Sequence, residues 1–261
     1  MSTGPTENRW DPGSPYRVPW VIAAAVTALV LVLALLVLLG GRWGFPGGAD
    51  CTVTVDGRTV RLSTGTTEDA AAITAGAVRQ RISLRTTSAS LKDGLDLDER
   101  EARVAASALT GRTPHALTCV HGGAEDAESN RLNRAGLTRR AATARRDVER
   151  AFGKQKLGGF APGGVRSGHM RGSAHYEGRA VDVFFRPVNQ KNRVKGWAMA
   201  QYLVADADRL ELDTVIYDAH IWTARRAAQG WRSYRPDTAG RSAQVAAILE
   251  HRDHVHLDVA D

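Results

Sequence analysis

The chain contains a twenty-residue stretch, Trp20 to Leu39, in which no side chain carries a charge. As a helix rising about 1.5 Å per residue it would measure about 30 Å, the thickness of a bilayer's hydrocarbon core. The stretch is longer than the apolar region of a signal peptide and lacks a small-residue cleavage site, so a retained anchor is favoured over cleavage. We therefore predict a disordered cytoplasmic tail over residues 1–17 and a transmembrane anchor over residues 18–41.

The chain has two cysteines, and both follow the apolar stretch. An even pair in an exported segment predicts a disulfide bond between Cys51 and Cys119, with two free buried thiols as the alternative. This argument places residues 42–261 outside the cell membrane, attached by one N-terminal helix. The positions of lysine and arginine around the span favour the same orientation only slightly.

The formal net charge is +7 at pH 7. Two arginines before the apolar stretch are offset by two acidic residues, so the excess charge belongs to the exported part. A basic exported domain attracts anionic partners, and for an anchored domain these are a cell wall or lipid headgroups rather than nucleic acid. Ordinary solvated arginines explain the charge equally well. No sequence feature indicates an oligomeric state.

Residues 42–122 form the first exported region, a small mixed subdomain. After a glycine-rich tether, residues 51–62 alternate in polarity around Asp56-Gly57, which is the pattern of a hairpin with a two-residue turn. Helical patterns follow at residues 68–82 and near residues 95–109. This region brings together no set of chemically active residues.

Residues 123–136 are polar and are predicted to be a linker to the second region, residues 137–261. That region begins with an amphipathic helix whose arginines face away from its apolar side. A second helix is predicted near residues 196–210, and strand patterns follow it. The sequence therefore predicts an α+β fold in which a small antiparallel sheet is flanked by helices.

The stretch "GSAHYEGRAVDVFF" contains a histidine and an aspartate, seven positions apart, that are candidate metal ligands. His175 precedes a turn that Gly178 permits, and Asp182 lies on the strand pattern that follows. Such a turn brings the two side chains together. Hydrolytic zinc sites use three protein ligands and leave a fourth position to water, so a third ligand must come from elsewhere in the chain.

The stretch "EHRDHVHLDV" near the C terminus supplies that ligand. It alternates, so His254, His256 and Asp258 share one face of a strand while the intervening apolar residues face a core. Neighbouring positions on that face lie about 6.6 Å apart, which lets one histidine bind metal while the other contacts substrate. The sequence thus predicts a central zinc site in the sheet.

These residues carry a family resemblance. "SAHYEGRAVD" fits the pattern S-x-H-x-x-G-x-A-x-D, and "HVH" fits the pattern H-x-H, of the zinc peptidases grouped with the D-alanyl-D-alanine metallopeptidases and the hedgehog signalling domain. The chain is similar to exported, membrane-anchored actinobacterial members with a DHVH strand, over roughly residues 137–261. The resemblance implies these roles: zinc ligands His175, Asp182 and His256; stabilisation of the tetrahedral intermediate by His254; and binding of a substrate carbonyl or carboxylate by Arg166.

The general base is the least determined part of the pattern. Many relatives place a glutamate three residues before the last ligand, where this chain has Asp253, and a hedgehog-like pattern places it six residues before, at Glu250. Either carboxylate needs a bend before His254 to reach the metal. We favour Asp253, and the alternative is that both acids only balance neighbouring arginines.

The resemblance implies a zinc metallopeptidase that acts on the peptide part of peptidoglycan, with carboxypeptidase and endopeptidase activity both open. The alternative is a non-catalytic, zinc-stabilised module that binds cell wall or another protein. A third possibility is metal-free binding of an anionic polymer by the basic surface.

Overall fold

The computed structural model describes Met1 and residues 50–261. The predicted tail and the apolar stretch over residues 20–39 lie outside the described residues. Among the described residues, none of the helices combines the length and the apolar character needed to cross a membrane.

The first strands of the region from residue 50 onward form a three-stranded antiparallel sheet. Strands β1 (Cys51–Val55) and β2 (Arg58–Leu62) are joined by Asp56 and Gly57, whose φ angles of 49° and 73° suit a type I′ turn, and the predicted hairpin is confirmed. Strand β3 (Leu117–Cys119) pairs with the other edge of β1. Cys51 and Cys119 are register partners whose sulfurs are bonded, which confirms the disulfide.

Three helices follow the hairpin: α1 (Thr64–Gln80), α2 (Leu84–Leu95) and α3 (Glu99–Leu109). The prediction of two helical segments was incomplete, because α2 was missed. Asp96 ends α2 in a left-handed conformation, and Asp98 then starts α3 with a capping box closed by Glu101. This local stop and restart separates two helices with only three residues between them.

A six-stranded antiparallel sheet carries the candidate site. In spatial order its strands are β4 (Leu157–Gly158), β5 (Ala180–Phe184), β9 (His254–Val259), β6 (Leu212–Tyr217), β7 (His220–Thr223) and β8 (Arg232–Ser233). Helices α4 (Arg139–Phe152), α5 (Gln190–Ala205) and α6 (Ala243–Leu249) and the 3-10 helices Ala174–Glu177 and Ala224–Gln229 complete this part. The mixed α+β class with small antiparallel sheets is confirmed.

Helix α5 connects the two sheets through a common core. Trp197 and Leu203 have no exposed surface. The buried side chain of Gln201 accepts hydrogen bonds from the backbone N–H groups of Ala116 and Leu117, both at 2.9 Å, and donates to a carbonyl at the end of α3. A fully bonded buried amide costs little to bury, and it fixes α5 against β3.

Helix α4 buries one arginine that the amphipathic pattern assigned to solvent. Arg140 is 3% exposed. Its guanidinium donates to Asp126 and Glu211, each at 2.7 Å, which compensates the buried charge. Because Asp126 lies within residues 123–136, this contact ties the polar segment to the helix.

A buried acidic pair lies where α4 meets the end of α5. Asp147 accepts hydrogen bonds from Tyr202 and Arg209, and Asp206 shares Arg209 at 2.6 Å. Burial raises the pKa of Asp206 to about 7; Arg209 opposes the rise, while repulsion from Asp147 and Glu68 adds to it. Asp206 therefore titrates near neutral pH.

We expect the substitution Asp206→Asn to alter stability in a pH-dependent way. The folded-state pKa lies above the ordinary value of 3.8, so the carboxyl favours the folded state below about pH 4 and this contribution is lost as the pH rises through about 7. The wild type loses this contribution between pH 5 and pH 8 and the variant does not, so the unfolding free energy of the variant relative to the wild type should rise by about 2–3 kcal/mol over this interval. Urea unfolding at the two pH values measures this, and an unchanged difference would contradict the assigned pKa.

Candidate metal centre

Three ligand atoms converge at the centre of the six-stranded sheet. Asp182 on β5 is the register partner of His256 on β9, and the 3-10 helix before β5 adds His175. His175 Nε2 lies 3.1 Å from His256 Nδ1 and 3.3 Å from Asp182 Oδ1, and the remaining separation, from His256 Nδ1 to Asp182 Oδ1, is 3.1 Å. A tetrahedral site with bonds of about 2.0–2.1 Å has edges of about 3.4 Å, so the three atoms fit one metal ion.

The turn between His175 and β5 depends on Gly178. Its φ of +69° is left-handed, and a Cβ there would lie 2.6 Å from the backbone oxygen of Gly136. The carbonyl of Gly178 also accepts the N–H of Thr138 at 3.0 Å, which fixes the turn on the start of α4. The glycine in the motif is therefore required by conformation and by close packing.

Hydrogen bonds orient both candidate histidine ligands. His175 Nδ1 donates to the carbonyl of Gly159 at 2.7 Å, which leaves the Nε2 lone pair directed at the cluster. His256 Nε2 lies 3.4 Å from Asp258 Oδ2, which leaves Nδ1 on the cluster side. Partners of this kind fix the ring and tautomer of metal-binding histidines. Asp258 and Gly159 were not assigned these roles from the sequence.

The electrostatics of the cluster favour a cation. Burial alone would raise the pKa of Asp182, but hydrogen bonds with His175 and His256 outweigh burial and hold it well below its usual range. Burial alone would lower the pKa of His256, but its bonds to Asp182 and Asp258 raise it to about 9. A metal ion that binds Nδ1 therefore displaces a proton and takes over the positive charge that the two carboxylates stabilise.

Gly159 is the residue whose enlargement should disturb the centre most directly. Its φ is +77°, and an added Cβ would lie 2.2 Å from His175 Cε1 and 2.9 Å from Asp182 Oδ2. We expect Gly159→Ala to weaken metal binding by a factor of ten to a hundred, roughly the effect of losing a supporting contact. Competitive titration with a metal-binding dye measures it. Gly163→Ala is the matched control, because Gly163 also has a positive φ but an added Cβ meets nothing within 4 Å; equal losses in both variants would point to backbone strain instead.

His254 lies beside the three ligand atoms and is hydrogen-bonded to a carboxylate, that of Asp253. Its Nε2 is 3.7 Å from Asp182 Oδ1, and its Nδ1 donates to Asp253 Oδ1 at 2.7 Å. The second oxygen of Asp253 accepts from Arg186 Nε at 2.6 Å. Burial raises the pKa of Asp253, but the bonds from His254 and Arg186 outweigh it and keep the carboxylate ionised. The bond from Nδ1 to Asp253 therefore orients the ring of His254 so that Nε2 points toward the cluster.

His251 extends the histidine cluster and was missed in the sequence. Its ring centroid lies 4.6 Å from that of His254, 5.5 Å from that of His256 and 5.3 Å from that of Tyr234. Burial and the neighbouring histidines lower the pKa of His251 to about 3, so the ring is neutral. The density of histidines in "EHRDHVH" was the available signal. Tyr234, whose ring packs against that of His251, lines a groove of about 430 Å³ together with Glu250 and Arg252, the residues on either side of His251.

The structure does not join the two other predicted site residues to the cluster. Glu250 accepts from Arg252, which also reaches Asp218, and it lines the neighbouring groove. Arg166 is exposed in the loop that follows β4. In the part of the chain that the structure describes, neither residue forms a hydrogen bond with the three candidate ligands or with His254.

A second group of possible metal ligands lies at the three-stranded sheet. It consists of Cys51, Cys119 and His121, with His121 Nε2 3.5 Å from the sulfur of Cys51. The two sulfurs are bonded to each other, so they do not offer the thiolates that a metal ion requires. Among residues 50–261, this leaves the cluster of His175, Asp182 and His256 as the candidate metal centre.

Comparison with known proteins gives a family match over part of the chain. A family model described as "VldE, C-terminal domain" matches residues 133–245. No curated protein and no solved structure matches the chain. The matched range contains His175 and Asp182 and ends before β9, which carries His256. Over residues 133–245 the chain is therefore similar to the VldE C-terminal domain.

Proposed function

We propose that the chain is a zinc-dependent peptidase, anchored on the outer side of the cell membrane, that cleaves the peptide part of peptidoglycan. One observation carries this proposal. Three ligand atoms at metal-site spacing lie beside His254, a histidine that a carboxylate orients and that the metal does not require. Catalytic zinc sites pair three protein ligands with an open position and a nearby proton carrier.

Zinc fits the ligand set better than the common alternatives. Two imidazoles and one carboxylate form a borderline donor set, whereas calcium and magnesium prefer oxygen ligands throughout. His175, Asp182 and His256 would hold the ion. When bound, it would polarise the scissile carbonyl and lower the pKa of the attacking water.

The chain's own residues supply the proton transfers. His254 Nε2 faces the cluster and accepts the proton of the attacking water, then passes it to the leaving amine. Asp253 keeps the Nδ1 proton of His254 in place and stabilises the charged ring. Both oxygens of Asp253 are already engaged, by His254 and by Arg186, so we assign it an orienting role rather than direct contact with water. Glu250 stays the alternative base.

The substrate proposal rests on charge, on the neighbouring groove and on the family resemblance. The net charge of +7 favours an anionic substrate, and the peptides of a bacterial wall carry free carboxylates. Arg166 is exposed and forms no ion pair with any described residue, so it is free to bind a carbonyl or carboxylate of the substrate. The groove beside His251 and Tyr234 offers room for a peptide.

One observation favours the second candidate, a zinc-stabilised binding module. His254 Nε2 lies 3.7 Å from Asp182 Oδ1 but outside the group of ligand atoms that all lie within 4.8 Å of one another, so it would become a fourth protein ligand only after a shift toward the metal. A site with four protein ligands is closed to water and is typical of structural zinc. In that case the domain would bind wall or a partner protein without cleaving it.

The direct test incubates the full-length chain with defined peptidoglycan peptides and identifies products by mass spectrometry. We expect cleavage of at least one peptide, its loss with a chelator and its return on addition of zinc. Products that persist after complete metal removal would contradict a zinc-dependent reaction. Stoichiometric zinc with no product from any peptide would favour the binding module.

A further inference from the structure

A basic cleft of about 510 Å³ lies between the segment before α4 and the first half of that helix. Its lining includes four exposed arginines, which are Arg131, Arg134, Arg139 and Arg146. None of the four forms an ion pair with another described residue. The cleft therefore concentrates uncompensated positive charge in one concave surface, a condition that attracts anions.

Neighbouring arginines on the same helix behave differently. Arg140, Arg145 and Arg150 each have a carboxylate partner. Four other surface clefts each include at least one carboxylate in their lining, whereas the basic cleft has none. Four arginines without a carboxylate partner therefore lie together at this cleft. The general excess of basic residues in the chain does not by itself explain this clustering.

The lining and the length of the cleft indicate which class of anionic ligand it fits. Leu132 and Ala142 give it an apolar floor between the charged side chains. Arg139 and Arg146 are two helical turns apart, about 10 Å along the axis, so the cleft spans more than one anionic group. A narrow anionic chain that lies along the cleft meets the guanidinium groups at both of its ends.

We propose that the basic cleft binds a linear phosphodiester polymer. Guanidinium groups pair with phosphates through two parallel hydrogen bonds, and the carbon units between the phosphates lie on the apolar floor. The proposal rests on the cleft alone and is independent of the proposed peptidase reaction. Such a polymer would lie beside the turn that carries His175, because the N–H of Thr138 donates to the carbonyl of Gly178.

The test measures binding of fluorescently labelled poly(glycerol phosphate) to the full-length chain in a neutral detergent. A variant with Arg131→Gln, Arg134→Gln, Arg139→Gln and Arg146→Gln should bind roughly thirty-fold more weakly, and wild-type binding should weaken steeply with added salt. The matched control replaces Arg58, Arg61, Arg100 and Arg241 by glutamine. These side chains are also exposed and unpaired among the described residues, and the net charge falls equally, so we expect at most about a two-fold change.

Three outcomes would overturn the proposal. Equal weakening of polymer binding in both variants would show that net charge, not the cleft, binds the polymer. If the wild type does not bind the polymer, the proposal is wrong. Cleft-dependent binding of vesicles containing phosphatidylglycerol, without binding of the polymer, would assign the cleft to lipid. The variant His256→Ala should bind the polymer as the wild type does, so failure of the peptidase reaction and failure of this proposal are separately visible.

Discussion

Replacing His254 by glutamine is expected to lower peptide turnover at least a hundred-fold while the zinc stays bound, because general acid–base catalysis contributes roughly that factor or more. Glutamine keeps a polar side chain in the strand but does not carry a proton between water and the leaving amine. The readouts are single-turnover product formation and elemental analysis of the same sample. Loss of zinc together with activity would instead make His254 a ligand and favour the binding module.

Two further variants decide how the carboxylates contribute. Asp253→Asn keeps the side-chain shape but weakens the hold on His254, so a loss of roughly a hundred-fold with zinc retained is expected. Glu250→Gln is the matched control and should be much milder, since Glu250 bonds to Arg252 and not to the cluster. The reverse ranking would assign the base to Glu250, as in the hedgehog-like pattern.

Alanine at any of the three ligand positions is expected to remove the metal. The wild-type chain should purify with about one zinc, and His175→Ala, Asp182→Ala or His256→Ala should each lower the affinity by well over a hundred-fold. Elemental analysis after dialysis against a weak chelator measures the loss. His115→Ala is the control, because His115 is exposed and lies outside the cluster. Full occupancy in all three ligand variants would contradict the assigned centre.

A graded effect should separate ligands from their supports. Asp258→Asn leaves all three ligand atoms in place but weakens the bond that orients His256, so the zinc affinity should fall by only about ten-fold. An unchanged affinity would show that the strand alone fixes the ring of His256.

The features recovered from the sequence depend on short-range spacing. The hairpin at Asp56-Gly57 is fixed by two residues that accept positive φ, and the His175–Asp182 turn is fixed by Gly178. The alternation of the C-terminal strand placed His254 and His256 on one face. Local spacing of this kind survives folding unchanged, so it was sufficient to bring His175 to Asp182, whereas the choice of His256 as the third ligand came from the family resemblance.

The supporting contacts were not predictable because they join segments far apart in the chain. Gly159 and Arg186 reach the cluster only because β4, β5 and β9 pair in one particular register. The burial of Arg140 likewise depends on carboxylates from two distant segments. Helical periodicity describes which face is apolar, but it does not reveal which charged side chain finds a buried partner.

The position of β9 has a consequence for the order in which the protein is made. This strand lies between β5 and β6, and its His256 meets Asp182 across 74 positions of sequence. Until β9 inserts, His175 and Asp182 form an incomplete chelate, because hydrolytic zinc sites use three protein ligands. In the proposed zinc site, metal uptake would therefore depend on completion of the sheet. A chain that stops before His254 would retain most of the fold's residues and would still lack the third ligand of the proposed site.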